Sequence, residues 1–277
     1  MNTENVRHAA HTSRRIAQTP RAFSNWVEVL SDMARERVGR GPETLSFAAR
    51  SGLRIDCPNV PGARVPIYEI FAEDTYRLKW FLGPLLGRPI QVIDIGGHIG
   101  TFACQLAQVH ARATIQCFEP SPTTAGFLRR NVEQNSLSGR ISVFERAVAA
   151  KTGHAVFDDN RGGSGTNALV GSGRAVASGT TTQVETVAFD EAVASTSAPI
   201  DFVKMDCEGG EYDLTYGSSR DSWASVDRMV LEYHPADGQS WDELRDWFKD
   251  VGLQVVRHKP VNQALGTAWL SRGLVDG

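Results

Sequence analysis

Short apolar runs alternate with amphipathic segments from about residue 90 to the end of the chain. The runs span residues 91–95, 113–118, 141–144, 199–205, 228–233 and 253–257, and helical spacing of apolar residues recurs over 101–110, 123–134 and 241–251. Strands that are buried on both faces are continuously apolar, and parallel strands need helical connections. The alternation therefore predicts a doubly wound α/β fold with a mostly parallel sheet and helices on both faces. A last run, 267–271, follows a short loop and is expected to pair antiparallel at the sheet edge.

The first 65 residues have a different pattern and predict a small N-terminal cap. From Pro20 onward, apolar residues at helical spacing predict an amphipathic helix; they are Phe23, Trp26, Val27, Leu30 and Ala34. Alternating runs at 45–49 and 53–57 around Arg50-Ser51-Gly52 predict a hairpin. The cap is too small to be an enzyme alone, so residues 66–277 are expected to form the functional domain. The face with Phe23 and Trp26 fits a second subunit as well as it fits the chain's own sheet.

Residues 158–182 interrupt the alternation, being rich in Gly, Ser, Thr and Asn. Two interpretations stay open, a mobile loop or lid over a site and a disordered surface insertion.

Composition narrows the classes of function. The 277 residues carry a net charge of −3, so no general positive field attracts nucleic acid or an anionic membrane. The four cysteines lie far apart without a CxxC pair, which predicts neither a zinc site nor a disulfide framework. No apolar signal segment and no run of 18 apolar residues occurs. We therefore expect a cytoplasmic protein without nucleic-acid or membrane partners.

The end of the first predicted strand of the sheet carries an acid and a glycine turn. Asp94 ends the strand, and Gly96, Gly97 and Gly100 lead into the next helix. Glycines allow a ligand to approach the backbone closely. The spacing is not the G-x-G-x-x-G of a dinucleotide site, and an acid at this point would repel a pyrophosphate. A carboxylate here suits a cationic ligand end, such as the ammonium of a methionine moiety.

The next two strand ends complete this ligand. Glu119 follows the second strand, 19 residues after Gly100, where a carboxylate can accept both hydroxyls of a ribose. Ala147 follows the third strand and is small enough for an adenine to lie against the backbone. Together the three strand ends predict S-adenosylmethionine (SAM) as the cofactor. The predicted cofactor-binding residues are Asp94, Gly96, Gly97, His98, Gly100, Glu119, Pro120, Ala147 and Asp206.

Charge is concentrated at the end of the fourth strand, in the segment Val203-Lys-Met-Asp-Cys-Glu-Gly-Gly-Glu. Buried charge is costly unless it is paired or used, which indicates a site. Lys204, Glu208 and Glu211 are interpreted either as substrate contacts or as an ion-pair network that shapes the turn. Glu232 and His234 end the fifth strand on one side of it, near Asp206 if the two strands are neighbours.

These phrases resemble the FkbM family of SAM-dependent methyltransferases. The resemblance covers roughly residues 65–240 and is carried by 92–102, Phe118-Glu-Pro-Ser, Val187-Ala-Phe-Asp-Glu and the segment that begins at Val203. It implies a seven-stranded class I methyltransferase fold of Rossmann-like type. It also implies O-methylation of a hydroxyl on a natural product or sugar-containing metabolite, as in antibiotic and other secondary-metabolite biosynthesis. This chain has Gly97 and His98 where the family phrase D-x-G-A-N-x-G has Ala-Asn.

Removal of the hydroxyl proton is assigned to the acids and the histidine at the strand ends. Asp206 or His234 is the expected general base, with Glu232 beside them as a third catalytic candidate. A purely structural role for His234, which precedes Pro235, is an equally open interpretation. In a variant of the mechanism, Asp206, Glu232 and His234 hold Mg²⁺ or another divalent cation that acidifies the hydroxyl.

Two other classes of function stay open. A protein that binds SAM without catalysis would share the cofactor residues, and an NAD-dependent oxidoreductase would share the α/β sheet. The missing G-x-G-x-x-G argues against the oxidoreductase. The identity of the acceptor is not encoded in any motif.

Overall fold

A computed structural model describes residues 14–36, 38–60, 62–159, 168–169, 181–196 and 198–273. The helices are α1 (14–22), α2 (Trp26–Glu36), α3 (Val65–Phe71), α4 (Leu78–Phe81), α5 (Thr101–Val109), α6 (Pro122–Gln134), α7 (Phe189–Ala194), α8 (Glu211–Gly217), α9 (Arg220–Ala224) and α10 (Trp241–Asp250). A 3₁₀ turn covers Gly83–Leu85. No helix in this part of the chain has the length and apolar character that crossing a bilayer requires.

The strands are β1 (Thr44–Ala48), β2 (Arg54–Pro58), β3 (Ile90–Ile95), β4 (Ala113–Phe118), β5 (Ile141–Phe144), β6 (Ala147–Ala149), β7 (Gly153–Asp158), β8 (Ala168–Leu169), β9 (Thr181–Ala188), β10 (Phe202–Met205), β11 (Arg228–Tyr233), β12 (Gln254–Pro260) and β13 (Gly266–Ser271). Seven of them form the main sheet in the order β12-β13-β11-β10-β3-β4-β5. The pairs from β11 to β5 are parallel, and β13 is antiparallel to both of its neighbours. The predicted seven-stranded, mostly parallel sheet is confirmed.

One strand position differs from the prediction. The run at 267–271 pairs antiparallel as expected, but it lies between β11 and β12, so the edge strand is β12. Burial explains the order, because every residue of β13 is buried whereas β12 is largely exposed. The strand with continuous apolar character takes the interior position.

The helix expected from Pro20 onward is also interrupted. The chain is helical to residue 22, Phe23 then bridges Ala49, and the helix resumes at Trp26. Phe23 is fully buried against the rings of Phe47 and Tyr68, while Trp26 is 39% exposed. Packing of Phe23 against the hairpin overrides continuous helical periodicity. The outward position of Trp26 leaves the prediction of a second subunit untested.

The predicted hairpin is confirmed as the antiparallel pair β1-β2. Its buried residues share one hydrophobic core with α5, α6 and the main sheet, and Asn131 of α6 joins them through hydrogen bonds. The Asn131 amide accepts from the Asp56 amide at 2.8 Å and donates to the carbonyls of Asp56 and Ile99 at 2.9 and 2.8 Å. Because Ile99 belongs to the glycine turn after β3, Asn131 holds the cap hairpin and that turn together.

A second sheet, in the order β6-β9-β7-β8, was not predicted. Residues 158–182 were expected to be a loop, and most of them lie outside the described residues. Within the described part, Asp158 ends β7, residues 168–169 form β8 and Thr181 begins β9. β9 has a clear alternation of exposed and buried positions, which is the signal that identifies it as a strand.

Replacing Asn131 with alanine is expected to destabilise the fold by about 2–4 kcal/mol. The change leaves buried backbone groups of Asp56 and Ile99 without partners, each of which costs about 1–3 kcal/mol. Urea unfolding measures the loss. Glu133→Ala is the control on the exposed side of the same helix and should change stability by less than about 0.5 kcal/mol. Equal stabilities for the two variants would contradict the bridging role of Asn131.

Candidate active site

A cavity of about 610 Å³ lies at the carboxyl ends of the central strands. It is the location at which doubly wound sheets bind ligands. The main sheet contributes the residues that follow β3, β4, β10 and β11, the second sheet forms another wall, and α3 with its preceding turn closes a third. The lining includes Gly62, Val65, Pro66, Glu69, Gly96, His98, Phe118, Glu119, Pro120, Ala147, Phe157, Asp206, Cys207, Glu208, Gly210, Asp213 and Glu232.

The glycine turn after β3, here called the glycine cradle, packs so closely against the neighbouring strand ends that its first two glycines leave no room for a side chain. Gly96 has φ +76°, and a Cβ there would overlap the carbonyl oxygen of Asp206. A Cβ at Gly97 would overlap the Cys117 thiol. His98 follows in a left-handed conformation with φ +49°, which costs energy for a residue with a side chain. The backbone of β3 therefore lies against β10 and β4 as closely as glycine permits.

Glu119 is a fully engaged carboxylate at the end of β4. It accepts hydrogen bonds from the His98 amide at 2.8 Å, the Ser121 amide at 2.9 Å and the Thr124 hydroxyl at 2.7 Å. Burial raises the pKa of the Glu119 carboxyl, and these three hydrogen bonds oppose the rise. Six of the nine predicted cofactor residues line the cavity, namely Gly96, His98, Glu119, Pro120, Ala147 and Asp206.

Asp94 occupies a different position from its predicted neighbours. Its side chain is fully buried, accepts a hydrogen bond from the Cys117 thiol at 3.2 Å and lies 3.7 Å from the Lys204 ammonium. Burial raises its pKa, and Lys204 opposes the rise. Asp94, Gly97 and Gly100 are not among the described residues that line the cavity. Direct contact of these three with the cofactor stays a prediction.

Lys204 connects the ends of β3 and β10. Its ammonium donates to the Gly96 carbonyl at 2.6 Å and lies 3.3 Å from an oxygen of Asp206. Burial alone would lower the pKa of Lys204, but Asp206 and Asp94 outweigh it and raise the pKa. Burial would likewise raise the pKa of Asp206, but Lys204 and His234 lower it. These contacts are consistent with the interpretation of the charged residues at the end of β10 as an ion-pair network.

Glu211 holds the turn after β10 and the histidine after β11. Fully buried, it accepts hydrogen bonds from the amides of Cys207 and Gly209, each at 3.0 Å, and contacts Nδ1 of His234 at 3.0 Å. Burial lowers the pKa of His234, but the hydrogen bond to Glu211 and the nearby acids raise it to about 10. This shift favours the imidazolium form, in which both ring nitrogens are donors.

Glu232 receives a hydrogen bond from the segment that precedes the main sheet. The Tyr76 hydroxyl donates to Oε1 of Glu232 at 2.5 Å, and the Tyr76 carbonyl accepts from the Trp269 indole at 2.8 Å. Burial and the neighbouring Asp206 raise the pKa of Glu232 to about 8. No sequence signal paired Tyr76 with Glu232, which lies 156 positions further along the chain.

The three predicted catalytic residues are brought together by the fold. Asp206, Glu232 and His234 each offer one oxygen or nitrogen atom, and these atoms lie within 4.8 Å of one another. Asp206 and Glu232 line the cavity, whereas His234 is not among its described lining residues.

Comparison with known proteins identifies the class of protein. The fold is similar to the methyltransferase domain of METTL16, with a TM-score of 0.51 at 14% identity over 81% of this chain and 75% of that chain. Magnesium protoporphyrin IX methyltransferase (ChlM) from Synechocystis PCC 6803, solved with bound SAM, gives a TM-score of 0.46 at 12% identity, covering 76% of this chain and 82% of that one. The likeness to the METTL16 domain shows the fold alone, which is the class I methyltransferase fold.

The family follows from the sequence match. The model of the methyltransferase FkbM domain matches residues 94–255, more than half of the chain. A curated relative, Methyltransferase 1 of Beauveria bassiana (strain ARSEF 2860), is 23% identical over 192 residues, which are 61% of this chain and 74% of that protein. The chain belongs to the FkbM methyltransferase family, as its motifs predicted.

Replacing Gly96 with alanine is expected to destabilise the protein by more than about 2 kcal/mol, because the new methyl group overlaps the Asp206 carbonyl and φ is positive. Gly126→Ala is the matched control, since a Cβ there contacts nothing and the residue lies within α6. The control should stabilise the protein by about 0.5–1 kcal/mol. Urea denaturation compares the two, and a neutral Gly96→Ala would show that the cradle is not tightly closed.

Proposed function

We propose that the protein is a SAM-dependent O-methyltransferase that acts on a hydroxyl of a small molecule, such as a natural product or a sugar-containing metabolite. The observation that carries this proposal is the single cavity lined by Gly96, Glu119 and Ala147 on one side and by Asp206 and Glu232 on another. Membership of a methyltransferase family supports the transfer of a methyl group. A concave site of this volume suits a cofactor and a small acceptor.

The residues of the first side fit the cofactor. Glu119 presents an anchored carboxylate to a ribose diol, and Ala147 leaves room for an adenine ring. Gly96 and Asp206 line the cavity side by side and would hold the amino-acid tail, and the Asp206 carboxylate is held ionised by Lys204. When bound, SAM supplies an electrophilic methyl group on a sulfonium, so the protein has mainly to align the hydroxyl and remove its proton.

Glu232 is the general base in this proposal. It lines the cavity, and its raised pKa makes it a better proton acceptor than an ordinary carboxylate. Tyr76 fixes one of its oxygens and leaves the other for the acceptor hydroxyl. His234 then acts as a cation that orders Asp206 and Glu208, since its Nε2 lies 4.0 and 3.7 Å from their oxygens. Upon transfer the hydroxyl oxygen forms the bond to the methyl carbon, the bond from sulfur to that carbon breaks and Glu232 receives the proton.

A divalent cation at Asp206, Glu232 and His234 fits this arrangement less well. Lys204 already neutralises Asp206, and His234 carries a proton that a metal ion would have to displace. Glu232 is itself engaged by a hydroxyl donor. The proposed mechanism therefore uses no metal ion.

The cofactor site is tested by Glu119→Ala, which removes the anchored carboxylate. We expect the affinity for S-adenosylhomocysteine, measured by calorimetry, to fall roughly tenfold to hundredfold, the worth of one or two charge-assisted hydrogen bonds. Glu145→Gln, at an exposed ion pair with Arg129, is the control and should bind normally. An unchanged affinity in a folded Glu119→Ala protein would remove Glu119 from the site.

The base is tested by Glu232→Gln in a mass-spectrometric assay of methyl transfer. The rate is expected to fall about 10²–10⁴-fold because proton removal is lost, with unchanged binding of S-adenosylhomocysteine. The wild-type rate should rise with pH up to about 8, as Glu232 loses its proton. Glu133→Gln, on the exposed face of α6, should leave both quantities unchanged.

Three outcomes would point elsewhere. A near-normal rate for Glu232→Gln would exclude Glu232 as the base. Loss of activity after exhaustive chelation, restored by Mg²⁺ or Mn²⁺, would support the metal-dependent variant. Cofactor binding without product from any acceptor would support a non-catalytic binding protein.

A further inference from the structure

Glu69 forms part of the cavity wall that α3 contributes. It lies in α3, near Val65 and Pro66, which line the same wall. This wall is separate from the strand ends that carry Gly96, Glu119 and Ala147. Because the latter residues are assigned to the cofactor in the proposed function, α3 faces the acceptor. The inference below therefore rests on that proposed function.

The carboxylate of Glu69 differs from the other acids at this end of the cavity. Asp206 pairs with Lys204, Glu232 accepts from Tyr76 and Glu208 lies 3.7 Å from Nε2 of His234. Within the described parts of the chain, no hydrogen bond or ion pair engages the side chain of Glu69. The residue is nevertheless only partly exposed, so it gives up solvent without receiving a protein partner.

The charges around Glu69 reinforce this imbalance. Burial and the neighbouring Asp206 raise its pKa, and Arg15 and Lys259 oppose the rise. Asp206 and Glu69 also raise the pKa of Glu232. Asp206, Glu208 and Glu232 line the same cavity as Glu69, so carboxylates share this part of its surface. A ligand that brings positive charge would relieve their repulsion.

We propose that Glu69 is a specificity-determining residue and that the methyl acceptor is an amino alcohol, whose protonated amine is held by Glu69 opposite Asp206 and Glu232. A hydrogen-bonded ion pair in an enclosed site is strong enough to select such an acceptor over its neutral analogue. The acids keep the amine protonated, and a protonated amine has no lone pair to attack a methyl group. The hydroxyl is then the nucleophile, consistent with O-methylation.

The class of acceptor is tested without knowledge of its identity. A metabolite extract of the cells that encode the protein is separated on a cation exchanger into retained and unretained fractions, and each is incubated with the protein and SAM carrying a trideuterated methyl group. We expect the label in the retained fraction, on oxygen by fragmentation. Label confined to the unretained fraction, or on nitrogen, overturns the inference but leaves methyl transfer intact. No label in either fraction contradicts the proposed function and, with it, the inference.

The role of Glu69 is tested on the labelled acceptor with Glu69→Gln. We expect KM for the acceptor to rise about tenfold to hundredfold, with kcat and the affinity for S-adenosylhomocysteine within about threefold of wild type. Glu73→Gln is the matched control, because Glu73 pairs with Arg14 and Gln18 rather than facing the cavity. An unchanged KM overturns the assignment. Weaker SAM binding with normal S-adenosylhomocysteine binding overturns it too, since Glu69 would then serve the sulfonium.

Discussion

The site depends on the ion pairs and the hydrogen bond that the buried ammonium of Lys204 makes. Lys204 and Asp94 are direct partners in the parallel pairing of β10 with β3, and the ammonium also contacts the Gly96 carbonyl and Asp206. A buried cation is tolerated only where partners surround it, and removal of one partner typically costs about 3–5 kcal/mol. The ion pairs therefore fix the separation of two strand ends. The glycine cradle and the Asp206 carboxylate are positioned by the same contacts.

The main sheet was predictable because its signal is local. Strands covered on both faces must be apolar throughout, so β3, β4 and β10 stand out in the sequence. The order of β12 and β13 was not predictable, since which strand is inside depends on the burial of whole strands by distant helices. The second sheet was missed because β6 and β8 are only three and two residues long. Strands of that length carry too little periodicity to be recognised.

The residues of the candidate site likewise fall into a group that the sequence predicts and a group that it does not. Glu119, Asp206 and Glu232 follow apolar strands, so topology alone predicts that they converge at one end of the sheet. Glu69 lies in α3 and Tyr76 follows it, and their positions depend on how α3 and the turn after it pack onto the sheet. Asp94 has the motif position of a ligand residue, yet its side chain contacts Lys204 and Cys117. A motif identifies the residue but not the direction of its side chain.

The arrangement of charge explains why so many acids coexist in one site. Lys204 lies behind Asp206, and His234 lies behind Glu208 and is held by Glu211. Each cation contacts nearby acids from outside the described cavity lining, whereas Asp206 and Glu208 themselves line the cavity. The same two cations thus determine both the shape of the turn after β10 and the charge that a ligand meets. A substitution at either cation changes the geometry and the electrostatics of the site together. A substitution of Glu69, which has no hydrogen-bond or ion-pair partner in the described part of the chain, changes the charge alone.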